Sequence, residues 1–244
     1  MKTIIVIPSR MLSQRFPNKP MALIHGIPMI KRVWEQAKKA NIGPVIVACC
    51  EKVVFDLIVS IGGEAIMTDP SLPSGTDRIF QAILKYKNVE SFDCIINLQG
   101  DMPIINPIDI FKVSEPLIQG FDIGTLVTNI NHIEEKDENI TKVNIQWIKK
   151  NNIGQALDFY KISKKNLKNI YHHVGIYSFS FKSLKTFINL QPSPNELYFK
   201  LEQWRAIDAG MNIGATYVKN IPLSVDTKED LKKVENIIKD NNDY

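Results

Sequence analysis

The chain of 244 residues has no apolar run long enough to cross a bilayer. The apolar stretch near its start is too short for a secretory core and is followed by nothing resembling a cleavage site. Cysteine is scarce. Cys49, Cys50 and Cys94 are odd in number, two are adjacent, and no CxxC or His-spaced pattern accompanies them. That argues against a disulfide framework and against a zinc site, so a soluble, cytoplasmic protein with reduced thiols is expected. A G-x-G-x-x-G turn, a Walker A lysine loop and a nucleophile elbow are all missing, which disfavours dinucleotide oxidoreductases, P-loop enzymes and hydrolases. The net charge of +4 is spread along the chain, where a nucleic-acid binder would concentrate it in a stripe. The densest basic stretch, from Lys149 to Lys168, is interrupted by Asn, Ile and aromatic residues and reads as a solvated surface. Neither nucleic acid nor membrane is an expected partner.

What the chain does have is an alternation of short apolar runs with amphipathic segments. Residues 3–7, 44–48, 64–67 and 94–98 read as strands, and residues 28–40, 51–61, 76–87 and 107–119 as helices. The uncharged run CIINL suits a parallel strand covered on both faces. The rhythm predicts an α/β, doubly wound, mostly parallel sheet of Rossmann-like kind, with ligands beyond the carboxyl ends of the strands. Further on, strands are expected over 121–130, 142–148, 174–181 and 215–219. A helix is expected over 194–210, with Leu197, Leu201 and Trp204 on its apolar face, and another at the C-terminus. The whole reads as one domain, 1–244, in which residues from about 130 to 210 form a smaller inserted subdomain.

The opening strand ends at Pro8 and delivers a polar loop carrying Arg10, Arg15 and Lys19. Backbone amides and cations at a strand's carboxyl end suit a nucleoside triphosphate, with the planar fork of Arg and the mobile point charge of Lys in complementary roles. Asp101 follows strand 94–98 in NLQGDMP, where Gly100 permits a tight turn, and it is either a carboxylate placed for Mg²⁺ or simply a turn aspartate. Asp226, in SVDTKEDL, is either a second metal carboxylate or a helix cap, a role Thr227 could take instead. In SGTDR, Ser74 or Thr76 caps the next helix or touches nucleotide together with Arg78. His172 and His173 precede strand 174–181, and Glu202 stands three residues before Arg205, the spacing of a helical ion pair.

Six segments in register, IPSRMLSQRFPNKP, LPSGTDR, NLQGDMP, HHVGIY, QPSPNELYFKLEQWR and SVDTKEDL, resemble the CMP-Kdo synthetases, cytidylyltransferases that activate 3-deoxy-manno-octulosonate (Kdo). The likeness runs from Ile4 to about Val234. It implies transfer of CMP from CTP to Kdo with release of pyrophosphate, assisted by Mg²⁺, for lipopolysaccharide biosynthesis. It implies further that Arg10, Arg15 and Lys19 hold the triphosphate and act with Asp101 in catalysis. Pro8, Ser9, Ser74, Arg78 and Gln99 would place the nucleotide, and Asp101 and Asp226 would hold Mg²⁺. Lys161, His173, Tyr177, Glu202 and Gln203 would face the sugar acid, and a homodimer joined through the middle insertion is implied too. Four positions depart from the family pattern. Cys50 stands for an aspartate, Leu72 for a histidine, Met102 for a glutamate, and Lys161 for an arginine. Lys keeps the charge of Arg but not its bidentate geometry. A related acid such as an amino-Kdo or a nonulosonate, and a non-catalytic CTP-binding homologue, remain alternatives.

Overall fold

The computed structural model describes residues 1–12, 15–148, 152–162, 168–219 and 222–240. Two compact units emerge: Met1–Phe111 together with Pro222–Tyr244, and Lys112–Ile221. The first unit opens with β1 (Thr3–Ser9), followed by a small hairpin of β2 (Leu23–Ile24) and β3 (Ile27–Pro28) and by helix α1 (Met29–Ala40). It continues through β4 (Val45–Cys49), α2 (Lys52–Ser60), β5 (Glu64–Met67), α3 (Gly75–Lys85), β6 (Cys94–Asn97) and α4 (Pro107–Lys112).

Strands β1, β4 and β6 are buried along their whole length, the consequence of apolar, β-branched runs with no face left polar. They form a parallel sheet in the order β5–β4–β1–β6. Helix α1 buries Met29, Ile30, Val33 and Ala37 at helical spacing and ends where Asn41 turns left-handed at φ 51°.

The second unit contains α5 (Glu115–Ile118), β7 (Ile123–Thr128), α6 (His132–Lys136), β8 (Lys142–Ile148), β9 (Ile153–Tyr160) and β10 (Ile170–Phe179). Helices α7 (Phe181–Asn189), α8 (Pro194–Phe199) and α9 (Gln203–Asp208) and strand β11 (Ile213–Tyr217) complete it. The long strand β10 pairs with β7 along most of its length and with β8 at Ile170–His172. Since β7 pairs with β11, β11 with β9 and β9 with β8, these pairings run full circle. Helix α10 (Lys228–Asp240) belongs to the first unit, where Val234 and Ile238 pack with Phe16, Ile24, Met29 and Val225.

The expectation of a mostly parallel sheet holds in the first unit and fails in the second. There β7–β11 is parallel while the other described pairings are antiparallel. The segment from about 130 to 210 lies inside a wider unit, because β7 and β11 pair with its strands. The helix expected over 107–119 is two helices. Pro116 cannot donate a helical hydrogen bond and sits instead in the first turn of α5. The helix expected over 194–210 is likewise broken, at Lys200 with φ 55°, and Leu197 is exposed rather than on a shared apolar face. Strand β9 and helix α7 were not expected, and β10 begins earlier than expected because Ile170–His172 pair with β8. Residues 149–151 and 163–167 of the basic stretch lie outside the described residues. Among the described residues no helix is long and apolar enough to cross a membrane.

Candidate functional site

Charge gathers at the carboxyl ends of β1 and β6. A Cβ on Gly100 would lie 2.8 Å from the Pro8 carbonyl, so only glycine lets the chain pass this close to β1 and turn to present Asp101. The Asp101 carbonyl accepts from the Val225 amide at 2.9 Å, which draws the segment before α10 to the same place. There Thr227 Oγ1 accepts from the Asp230 amide, while the Asp230 carboxylate accepts from the amides of Asp226 and Thr227. Thr227 and Asp230 thus make the reciprocal cap of α10. The expected alternative of Asp226 as the cap gives way, and its carboxylate turns to the basic loop.

Lys19 Nζ lies 2.7 Å from Asp101 Oδ2 and 3.2 Å from Asp226 Oδ1, and Arg15 Nη2 lies 3.2 Å from Asp226 Oδ2. Burial opposes the Lys19 charge, but the field and hydrogen bond of Asp101, followed by those of Asp226, outweigh it and raise the ammonium above the usual lysine value. Two carboxylates therefore converge on one cationic group. Arg10, Arg15, Lys19, Arg78, Gln99, Asp101 and Asp226 line a cleft of about 790 Å³, with Pro8, Ser9 and Gly75 among its other walls.

Arg78 is only 1% exposed. Its Nη1 donates to Thr68 Oγ1 at 2.6 Å and to the Asp69 carbonyl at 3.3 Å, and its buried Nη2 has no hydrogen-bond partner among the described residues. A buried donor without a partner is costly, and here it belongs to a cleft-lining side chain. Gln99 is oriented by donating Nε2 to Asn97 Oδ1 at 2.9 Å. Ser74 serves as the cap of α3, accepting from the amides of Thr76 and Asp77, and the next residue, Gly75, lines the cleft.

In the second unit β10 and α9 bring His173, Tyr177 and Gln203 together. Gln203 Nε2 donates to the Tyr177 hydroxyl, and the His173 ring lies 5.6 Å from that of Tyr177 and 5.1 Å, edge-on, from Phe159. His173 Nε2 is 3.0 Å from Thr125 Oγ1. Burial, and secondly His172, push the His173 imidazole down to about 3, so it is neutral at physiological pH. Burial, then the charge of Glu202, raise the Tyr177 phenol above its usual value and keep it protonated. Trp204 Nε1 donates to the Phe159 carbonyl at 2.9 Å and ties α9 to β9. Arg205 forks onto the carboxylate of Glu196.

Lys161 is half-buried just past β9, and its carbonyl accepts from Lys142 Nζ at 2.7 Å. Lys142 itself escaped sequence reasoning. A lysine in the alternating strand KVNIQWI reads as solvent-facing, yet it is fully buried with its ammonium on the carbonyls of Asp137 and Lys161. Of the positions expected to depart from the family pattern, Met102 is buried, and Cys50 donates its S–H to Glu51 Oε1 at 3.2 Å. Burial, and then that hydrogen bond, push the Cys50 thiol up to about 11.

A family model described as "Cytidylyltransferase" matches residues 4–213. The 3-deoxy-manno-octulosonate cytidylyltransferase of Paramagnetospirillum magneticum is 43% identical over 239 residues, covering 97% of either chain. That of Rhodospirillum centenum is 39% identical over 238 residues, covering 96% of this chain and 93% of its own. Among solved structures, a CMP:2-keto-3-deoxy-manno-octonic acid synthetase complexed with CTP superposes with a TM-score of 0.88 at 33% identity, over 98% of this chain and 99% of its own. A UDP-glucose pyrophosphorylase, at 13% identity and a TM-score of 0.69, shares the fold alone, covering 98% of this chain and 99% of its own. These neighbours identify an α/β nucleotidyltransferase-like fold with a mixed sheet.

Proposed function

This chain belongs to the cytidylyltransferase family, and on that premise we propose that it transfers CMP from CTP to 3-deoxy-D-manno-octulosonate with release of pyrophosphate. The observation that carries the reading is the cleft in which Arg10, Arg15, Lys19 and Arg78 stand with Asp101 and Asp226 at the sheet's carboxyl edge. A triphosphate brings about four negative charges, which four cations can hold and two carboxylates alone would repel.

In the reaction the anomeric hydroxyl of the sugar attacks the α-phosphorus, the bond to the β-phosphate oxygen breaks, and the hydroxyl proton passes to solvent. Little covalent chemistry falls to the protein. Arg10, Arg15 and Lys19 align the phosphates and neutralise charge as it develops on the leaving pyrophosphate. The partnerless Nη2 of Arg78 and the oriented amide of Gln99 offer a donor and an acceptor to the nucleotide.

Asp101 and Asp226 fit Mg²⁺, which takes one or two carboxylates together with phosphate oxygens and water. What supports the fit is their convergence on one cation in Lys19. Among the described residues no group of three or more His, Cys, Asp or Glu is placed to hold a metal. When bound, the ion neutralises phosphate charge and lowers the pKa of the attacking hydroxyl.

To the sugar acid we assign Lys161, His173, Tyr177, Glu202 and Gln203. The buried Gln203 Oε1 has no hydrogen-bond partner among the described residues and suits a sugar hydroxyl, and the ammonium of Lys161 suits the carboxylate. The same reading makes the protein a cytoplasmic homodimer. Its three free cysteines suit a reducing compartment, and exposed Ile133, Ile148, Ile162, Leu197 and Tyr198 in the second unit supply apolar contact area. Sedimentation showing only monomer at micromolar concentration would overturn the dimer.

The deciding experiment follows pyrophosphate release from CTP and Mg²⁺ with Kdo, beside sialic acid and no-sugar controls. Release with Kdo alone is the expected result. Release with another acid would reassign the substrate, and CTP binding without release would reassign the protein as a nucleotide binder.

A further inference from the structure

The residue after Cys50 occupies an unusual place. Glu51 precedes α2 in extended backbone, where a side chain would ordinarily cap the helix, yet it makes no cap hydrogen bond. Its Oε1 instead accepts from the backbone N–H of Met11 at 3.0 Å, forty residues earlier in the chain, and from the Cys50 thiol at 3.2 Å. The Met11 carbonyl in turn accepts from the Asn18 N–H at 3.0 Å. Asn18 is left-handed, at φ 59°, and so turns the chain directly into Lys19.

Met11 is therefore tied through both its amide and its carbonyl, and the loop closes at a neck formed by Met11 and Asn18. Arg10 stands immediately outside one side of that neck, Lys19 immediately outside the other, and Arg15 within the loop. From this geometry we propose that Glu51 is the positioning residue of the phosphate-gripping loop, holding through the Met11 amide the point from which Arg10, Arg15 and Lys19 depart.

The chemistry favours such an anchor. An N–H donated to a carboxylate is charge-assisted, and the other oxygen, Oε2, is buried without a hydrogen-bond partner among the described residues, so water competes little for the group. Anchor points held in advance, such as Met11, lose less conformational freedom when a ligand binds. The Cys50 thiol donates to the same carboxylate oxygen.

The inference rests on the reading that this loop grips the triphosphate of CTP. Its test measures CTP binding by calorimetry for wild type, Glu51→Ala and Glu51→Gln, with inorganic tripolyphosphate as a second probe, and then the KM for each substrate. Glu51→Ala should weaken both CTP and tripolyphosphate about tenfold, the loss of one charge-assisted hydrogen bond, and leave the KM for the sugar acid unchanged. Glu51→Gln should recover most of that loss, because its amide oxygen still accepts from Met11. Adding Arg10→Ala to Glu51→Ala should cost less than it does in wild type, since Arg10 is then already displaced.

Unchanged binding in Glu51→Ala overturns the proposal. So does an equal loss for CTP and sugar acid that follows a fall in melting temperature, or a failure of Glu51→Gln to recover binding. Wild-type protein that holds tripolyphosphate but not CTP would overturn the nucleotide reading alone, with the tripolyphosphate series still deciding the anchor. Wild-type protein that holds neither overturns both.

Discussion

In the first unit Arg15 and Asp226 stand partly in water, their side chains 59% and 43% exposed, whereas the second unit encloses His173 and Gln203 and holds the His173 ring neutral. Loops at strand ends carry the first set, and strand and helix surfaces carry the second. Under the proposed function, the difference matches two recognition problems. Phosphates need many mobile charges that can follow them through a reaction, at a site where water lowers the cost of holding like charges together. A sugar acid differs from its analogues by a hydroxyl or an amine, and such differences are told apart by fixed, buried hydrogen-bonding groups.

Removing a carboxylate from the charged cleft should give the largest effect. Asp101→Ala and Asp226→Ala are each expected to lower kcat about 10²–10³-fold in Mg²⁺, in line with the loss of a preorganised electrostatic group, with the circular dichroism spectrum unchanged. Near-normal turnover in either variant would remove that residue from the metal site.

The second unit should answer to pH. His173 has a folded pKa of about 3, pushed down from 6.5, so the unfolded chain binds the extra proton between those values. The neutral ring's contribution is present above about 6.5 and is lost as pH falls towards 3. Urea midpoints at pH 7 and pH 4 should therefore fall further apart in wild type than in His173→Asn. Equal falls would show that the ring is protonated in the folded state without penalty.

A smaller effect is expected of Lys161→Ala, which should raise the KM for the sugar acid about tenfold and that for CTP little, the scale of one charged hydrogen bond. An equal change for both substrates would make Lys161 structural. Smallest of all, Ser74→Ala should cost about 1 kcal/mol of stability through the lost cap of α3 and leave the KM for CTP unchanged. A raised KM would place Ser74 on the nucleotide after all.

The first unit was the more legible of the two in sequence. Its central strands β1, β4 and β6 are largely apolar and its helix α1 amphipathic, and Pro8, Gly100 and the capping serine mark the turns between elements, so local pattern and tertiary role agree. Its candidate residues were also read from short contiguous motifs, and the cleft gathers Arg10, Arg15, Lys19, Arg78, Gln99, Asp101 and Asp226. The second unit was less readable because its circuit mixes the parallel β7–β11 pair with antiparallel ones and is closed by pairs such as β7–β10 and β9–β11 that lie far apart in sequence. Strand β9 alternates too weakly to announce itself, and Lys142 mimics a surface residue while its ammonium is satisfied by carbonyls on either side.

Sequence by itself determined the parallel strands of the first unit, the basic loop after β1, the two aspartates and, through motifs in register, the family. Those features are local: apolar periodicity and turn chemistry act over a few residues. Only the tertiary structure decided that Thr227 rather than Asp226 caps α10, leaving Asp226 to Lys19, and that Glu51 reaches across to Met11. It alone decided, too, that His173 is neutral. Each of these turns on which groups distant in sequence come within hydrogen-bonding reach, and on how much water their burial removes, and neither is written in the order of residues along the chain.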